Sequence, residues 1–81
     1  MSQEIVVITS GWVVMGDVIE HDDRIIITDA SIIRAWGTSA GLGGIALRGP
    51  TKSTILDPAG VVECYKIAVI MRIRCQYASK S

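Results

Sequence analysis

Short runs of β-branched residues, separated by polar or glycine-containing breaks, dominate the hydrophobic pattern of this chain. Residues 4–9 read Glu-Ile-Val-Val-Ile-Thr, and residues 12–20 form a second run in which Gly16 marks a bulge or a close backbone approach. A polar turn at residues 20–23 precedes a third run at residues 24–28. The second and third runs are therefore predicted to pair as an antiparallel hairpin.

The middle of the chain contains one more strand and one helical segment. A short connection leads into residues 32–36, where alternation places Arg34 and Trp36 side by side on one strand face. Residues 42–48 have apolar positions at helical spacing and predict about two helical turns. The helix is expected to end at Gly49, because glycine is a common helix stop and proline follows it.

The C-terminal third contains the longest alternating stretch. Residues 51–56 are predicted as a short strand or extended arm, and residues 57–60 have the composition of a type I turn. Over residues 65–77 the odd positions are apolar and most even positions are polar, which is the period of a strand with one solvated face. On this interpretation Val69 and Ile73 share the core face.

Together these elements predict a mainly β fold, either a small barrel or a strongly bent antiparallel sheet of five or six strands with one short helical insert. The 81 residues predict a single domain over residues 1–81. A chain of this size buries only roughly 60% of its unfolded surface. Because 49% of the residues are hydrophobic, we expect the chain to form homo-oligomers.

The sequence also predicts a location away from membranes. The longest uninterrupted apolar run is residues 67–71, which is too short to span a bilayer. Residues 1–4 lack the basic and apolar regions of a signal peptide. We therefore expect a cytoplasmic protein with no membrane partner.

Charge is distributed unevenly although the formal net charge is zero. Residues 1–31 contain six acids and one base, whereas residues 32–81 contain seven bases and two acids. This asymmetry fits an anion site in the second half, or electrostatic pairing between the halves or between subunits.

No catalytic constellation, metal site or cofactor motif is recognisable. His21 is the only histidine and lies in an acidic turn with Asp22 and Asp23, where adjacent carboxylates diverge. Cys64 and Cys75 fit no zinc spacing and are interpreted as small core hydrophobes. The chain is therefore expected to be a non-enzyme that uses no cofactor.

The glycine-rich stretch at residues 34–52 is the strongest candidate binding site. Two residues separate its last glycine from Lys52, so the spacing does not match a phosphate-binding loop of nucleotide hydrolases. Glycine amides, hydroxyls and cations can still hold an anion, and Trp36 beside Arg34 suits a stacked base. The predicted ligand-binding residues are Arg34, Trp36, Gly37, Thr38, Ser39, Gly41, Arg48, Thr51 and Lys52.

Each of these features also has a purely structural interpretation. Trp36 can cap the core or a subunit interface, and Trp12, at the start of a strand, is expected in the core. Arg72 and Arg74 lie on the solvated face of the last strand. They fit a stripe for nucleic acid, a solvated surface, or pairing between subunits.

Several motifs along the chain carry a family resemblance. They are Gly16-Asp17, Asp29-Ala30, Ile-Arg-Ala-Trp-Gly-Thr at residues 33–38, Gly41-Leu42, and Leu-Arg-Gly-Pro-Thr-Lys at residues 47–52. With the isoleucine-rich last strand, they resemble a family of small uncharacterised proteins from phages and prophages. The resemblance covers residues 11 to about 75 and departs from the family at Ile45, where members carry leucine. It implies a phage accessory protein in the host cytoplasm that blocks host defence.

These observations lead to one functional expectation and two alternatives. The expectation is a phage-type accessory protein that forms homo-oligomers and sequesters a small anionic, nucleotide-like ligand to counter host defence. One alternative is a protein–protein inhibitor that binds a host defence component. The other is a nucleic-acid-binding module that uses Arg72 and Arg74.

Overall fold

Strands make up most of the described chain. The computed structural model describes residues 2–77. In chain order the elements are β1 (Ser2–Ile8), a first 3-10 helix (Thr9–Gly11), β2 (Trp12–Glu20), β3 (Arg24–Ala35), α1 (Gly41–Arg48), β4 (Ile55–Tyr65), a second 3-10 helix (Lys66–Ala68) and β5 (Val69–Arg74). The predicted mainly β fold with one short helical insert is confirmed.

All five strands lie in one antiparallel sheet with the order β4-β3-β2-β1-β5. The predicted hairpin of β2 and β3 is confirmed. Within residues 2–77 the outer strands β4 and β5 each pair on one side only, so the sheet is bent but open. Its two outer edges therefore keep backbone groups that no neighbouring strand satisfies.

The bulge and close approach predicted at Gly16 are both observed. The register of β2 against β3 shifts between Met15 and Asp17. A Cβ atom on Gly16 would lie 2.6 Å from Cγ2 of Ile27 and 2.7 Å from the carbonyl oxygen of Thr28. Only glycine lets the two strands approach this closely.

Two segments predicted as breaks are instead parts of strands. β3 continues through residues 29–31, with bulges against β4 and with Asp29 at a φ of 49°. β4 continues through residues 57–60, because pairing with β3 keeps this turn-like sequence extended. Long-range pairing therefore outweighs the local preference for a turn at Pro58 and Gly60.

The alternating stretch at residues 65–77 is not one strand. The second 3-10 helix separates β4 from β5, and the register of β1 against β5 shifts between Val7 and Ile8. Because of this shift, Val69 packs on one face of the sheet and Ile73 on the other. The prediction that these two side chains share a face is wrong.

Apolar side chains are buried on both faces of the sheet. On one face α1 covers a cluster that we call the helix-side core, which comprises Ile5, Val13, Met15, Ile33, Leu42, Ile45 and Ala46. The opposite face holds the concave core, which comprises Val6, Val14, Val18, Ile25, Ile27, Ala30 and Cys64. Val62 of β4 and Val69 of β5 both pack against the concave core, although their strands lie at opposite ends of the strand order. Only residues 66–68 join these two outer strands, so the sheet curls around this second core.

A number of large hydrophobic side chains remain exposed. The exposed ones among the described residues are Trp12, Trp36, Leu47, Ile55, Val61, Tyr65, Ile67, Ile70 and Met71. The prediction that Trp12 lies in the core is wrong, because 59% of this residue is exposed. No helix in residues 2–77 is both long and apolar enough to cross a bilayer.

Candidate functional site

Threonine hydroxyls tie the glycine-rich region together. Oγ1 of Thr51 donates to the carbonyl oxygen of Gly37 at 2.6 Å, and Oγ1 of Thr54 donates to that of Trp36, also at 2.6 Å. The two hydroxyl oxygens are 3.2 Å apart. We call this arrangement of residues 36, 37 and 51–54 the hydroxyl clasp. It holds the turn after α1 against the end of β3.

Gly37 and Thr38 have structural roles in this region. Gly37 has a φ of 64°, and a Cβ atom there would collide with the backbone of Ser53 and Thr54. Oγ1 of Thr38 accepts a hydrogen bond from the backbone N–H of Ala40 at 3.1 Å. These two predicted site residues therefore shape the loop, and their neighbour Ser39 is exposed to solvent.

Arg34 is held by a carboxylate that the sequence analysis did not connect with it. Its Nε and Nη2 donate to Oδ2 and Oδ1 of Asp57 at 2.8 and 3.2 Å. The hydrogen bonds raise the pKa of Arg34 and lower the pKa of Asp57. An anion that binds Arg34 has to compete with this neighbour. Only two acidic residues follow residue 31 in the sequence, and Asp57 is one of them, so it was a candidate partner for Arg34.

Trp36 and Lys52 both belong to the hydroxyl clasp. The Trp36 residue is 46% exposed, and a Cβ atom on Gly41 would lie 3.8 Å from its ring. Lys52 directly follows Thr51 in the clasp, and Arg48 ends α1. Within the described chain no carboxylate lies at ion-pairing distance from either cation. An exposed aromatic ring and the cation of Lys52 thus belong to residues of the hydroxyl clasp, and the cation of Arg48 lies at the end of α1.

A second polar site lies at the edge of the concave core. Nε and Nη2 of Arg72 donate to the two carboxylate oxygens of Glu4 at 2.7 and 2.9 Å. Nη1 of Arg72 lies 2.7 Å from Oε2 of Glu20, and Nζ of Lys66 lies 3.4 Å from Oε1 of Glu20. We call these four residues the rim cluster. It joins β1, β2, β5 and the second 3-10 helix.

The rim cluster neutralises Arg72. Glu4 is only 8% exposed, and its hydrogen bonds with Arg72 raise the pKa of the guanidinium further above its ordinary value. The hydrogen bond from Arg72 is the main cause that lowers the pKa of Glu20. The predicted pairing between the acidic and basic halves of the chain is observed here. Arg72 is consequently a poor candidate for a nucleic-acid phosphate contact.

Cavities lie beside the rim cluster. One of about 550 Å³ is lined by Glu4, Glu20, Arg72, Arg74 and Gln76. A smaller one of about 310 Å³ is lined by Glu20, Ile25, Lys66, Val69 and Arg72. Arg74 has no carboxylate at ion-pairing distance in residues 2–77. The alternation in the sequence predicted that Arg72 and Arg74 face outward. It could not predict that Glu4 and Glu20 lie beside Arg72, because both are distant from it in the chain.

The cysteines are poorly suited to nucleophilic chemistry. Both Cys64 and Cys75 are free thiols. Burial, helped by the charge of Glu4, raises the pKa of Cys75 to about 11, and burial also raises the pKa of Cys64. Both thiols are therefore protonated at neutral pH, whereas the thiolate is the reactive form. In the described part of the chain no three His, Cys, Asp or Glu residues group closely enough to hold a metal ion.

Comparison with known protein families, curated proteins and solved structures finds no match to this chain. The function is therefore inferred from the geometry and chemistry of the hydroxyl clasp and the rim cluster.

Proposed function

We propose that this chain is a binding protein that works as a homo-oligomer and takes a small anionic, nucleotide-like ligand beside Trp36. The observation that carries the proposal is the half-exposed Trp36 in the hydroxyl clasp, whose other backbone segment includes Lys52, a cation without an ion-pair partner in the described chain. Aromatic side chains bind bases by stacking, and cations bind phosphate by charge-assisted hydrogen bonds. A region already tied by hydrogen bonds loses little freedom when a ligand binds.

The proposal assigns different roles to the residues of this region. Trp36 stacks on the base, and Lys52 with Arg48 meets the phosphate. Arg34 has a secondary role, since it contributes only when the anion displaces or joins Asp57. The threonines of the clasp act indirectly, because their hydroxyls already bind the backbone. In a phage setting, as the family resemblance implies, such binding would sequester a nucleotide signal of the host.

Exposed apolar surface supports the homo-oligomer. Side chains such as Ile67 and Ile70 lie outside both cores and are largely exposed. Large exposed apolar patches on a small protein are typical of interaction sites. Light scattering and native mass spectrometry at micromolar concentration are expected to show more than one subunit, and an 8.7 kDa monomer would contradict this part of the proposal.

Tryptophan fluorescence tests the ligand site. Trp12 is also exposed, so we would use the Trp12→Phe variant, in which Trp36 is the only emitter. Titration with AMP, ATP and a cyclic dinucleotide is expected to change the emission of Trp36. Loss of one stacked base is worth about 1–3 kcal/mol, so Trp36→Ala should weaken binding about tenfold or more in calorimetry. Lys52→Gln should weaken binding and reduce its salt dependence.

Arg74→Gln is the matched control for Lys52→Gln. Both residues are cations without an ion-pair partner in the described chain, but Arg74 lines the cavity at the rim cluster. The proposal expects Arg74→Gln to leave nucleotide affinity unchanged. If Arg74→Gln abolishes binding and Trp36→Ala does not, the ligand lies in the cavity and the proposed site is wrong. Absence of binding by all three probes would contradict the ligand proposal itself.

A further inference from the structure

The two outer edges of the sheet differ in how well they are protected from pairing. Natural edge strands are shielded by proline, bulges or a covering element. The first part of β4 has such protection, with Pro58 and two register shifts nearby. Residues 61–65 of β4 contain neither proline nor glycine, and neither does β5. In residues 2–77 no further strand covers either edge. In β5 the register against β1 shifts beside Ile70, so its regular part is residues 71–74. Residues 61–65 of β4 and residues 71–74 of β5 are therefore templates for an additional strand.

Exposed apolar side chains follow these unprotected segments. They run from the end of β4 through the second 3-10 helix into β5, and comprise Val61, Tyr65, Ile67 and Ile70. Ile67 is 95% exposed, so it contributes almost nothing to either core. An isoleucine in this position gains stability only when another surface covers it.

The two outer strands carry opposite charge. β4 contains Asp57 and Glu63 and no base, whereas β5 contains Arg72 and Arg74 and no acid. Pairing β4 with β5 brings the acids of one strand near the bases of the other. Within one copy Asp57, Glu63 and Arg72 already have ion-pair partners on neighbouring elements. Arg74 is the outer-strand cation without an ion-pair partner in the described chain, and it lines the larger cavity. A carboxylate from a second copy could form an ion pair with Arg74.

We infer that copies of this chain assemble head to tail, with the β4 edge of one copy against the β5 edge of the next. This inference rests on the proposed homo-oligomer and specifies its interface. Glu63 of one copy lies near Arg74 of the next, and Ile67 and Ile70 are covered at the contact. Because the two contacting surfaces differ, a pair of copies still has one unused β4 edge and one unused β5 edge, so the assembly closes as a ring or continues as a filament.

Reversing one charge on each edge tests the inference. Arg74→Glu places a carboxylate opposite Glu63 of the next copy, and Glu63→Arg places a guanidinium opposite Arg74. Each variant alone is therefore expected to assemble at least about tenfold more weakly than wild type. An equimolar mixture of the two variants is expected to recover assembly. In that mixture the altered β5 edge of one variant meets the altered β4 edge of the other, and the remaining edges are wild type. Native mass spectrometry reports the alternating species directly.

Matched controls separate interface effects from folding effects. Asp22→Arg changes the charge by the same amount as Glu63→Arg, at an exposed position outside the outer strands, and should leave assembly unchanged. Ile67→Gln is expected to weaken assembly about tenfold, whereas Leu47→Gln, an exposed apolar change on α1, should not. Far-UV circular dichroism checks that each variant folds. Glu63 pairs with Arg24 at the surface, where such pairs contribute little.

The outcomes distinguish this inference from the proposed homo-oligomer. A monomeric wild-type protein overturns both. If Arg74→Glu, Glu63→Arg and Ile67→Gln all leave the oligomer intact, the proposed homo-oligomer stands and the inferred contact between the β4 and β5 edges is wrong. Loss of assembly in both charge variants without recovery in their mixture overturns the head-to-tail arrangement.

Discussion

The helix-side core and the concave core are closed in different ways. The helix-side core is covered by α1, which acts as a separate lid and is joined to the sheet by loops and by apolar contacts. The second core has no separate lid, because every residue in it and every side chain packed against it lies on a strand. One core thus depends on a docked element, and the other depends on curvature of the sheet itself.

The lid is intrinsically weak. α1 has only eight residues, three of which are glycines, and its N-cap residue Ala40 makes no side-chain capping hydrogen bond. Isolated helices below about 12–15 residues are marginal in water. Burial of Leu42, Ile45 and Ala46, and a hydrogen bond of 2.6 Å from the backbone N–H of Gln76 to the carbonyl oxygen of Ala46, must therefore hold it.

The concave core is closed at its edge by charges. The rim cluster connects β1, β2, β5 and the second 3-10 helix through Arg72. A backbone hydrogen bond of 2.9 Å from Lys66 to Asp23 adds a second link to the turn between β2 and β3. A small sheet can thus bury both faces when one side recruits a helix and the other uses bending and ion pairs.

The largest expected effect comes from truncating one isoleucine in each core. Ile45 and Ile27 are both fully buried, so Ile45→Ala and Ile27→Ala should each lower the free energy of unfolding by about 2–5 kcal/mol. Urea denaturation measures this loss. Hydrogen exchange should show that Ile45→Ala exposes the amides of α1 selectively, whereas Ile27→Ala lowers protection across the strands. Identical exchange patterns would contradict the distinction between a docked lid and a self-closed core.

A smaller effect is expected at the rim cluster. Arg72→Gln leaves the buried Glu4 carboxylate without its main partner, which should cost about 1–3 kcal/mol. Arg34→Gln is the matched control, because it removes a comparable two-bond pair from a fully exposed site, and it should leave the urea midpoint close to wild type. Equal losses in the two variants would contradict a closing role for the rim cluster.

Acid titration sharpens the same test. The pKa of Glu20 is lowered in the folded protein, chiefly by its hydrogen bond with Arg72. Its stabilising contribution is complete above the ordinary pKa of 4.5 and is lost as the pH falls through the lower folded value. Arg72→Gln should therefore flatten the loss of stability below this pH. An unchanged acid slope would mean that this pairing is not linked to folding.

The smallest expected effect lies within α1. A Cβ atom on Gly43 would meet nothing within 4 Å, so Gly43→Ala should stabilise the helix by about 0.5–1 kcal/mol. Gly44→Ala carries the same helix preference, but its Cβ atom would lie 2.5 Å from that of Ala40 and should destabilise. Amide exchange in α1 reports both changes. Stabilisation by both substitutions would show that the lid can shift on the sheet.

Local sequence predicted the parts of the molecule that depend on near neighbours. The hairpin of β2 and β3, the bulge at Gly16 and the end of α1 at Gly49 were predicted correctly. Hydrophobic period, turn chemistry and glycine placement act over a few residues, and here the surrounding sheet agrees with them.

The predictions from sequence failed where residues distant in the chain determine the structure. Residues 57–60 have turn chemistry, yet pairing with β3 makes them part of β4. A register shift against β1 turns Val69 and Ile73 to opposite faces. The candidate site shows the same limit, since the carboxylate that holds Arg34 of β3 comes from another strand, β4.

The sequence by itself determined a β-rich chain with one short helix, an acidic first half and a basic second half. Tertiary structure alone decided that Glu4, Glu20 and Arg72 meet, and that opposite charges lie on the two open edges. The physical reason is that strand order and register bring together residues far apart in the chain. These pairings depend on the balance of packing and hydrogen bonding over the whole sheet, which no local pattern records.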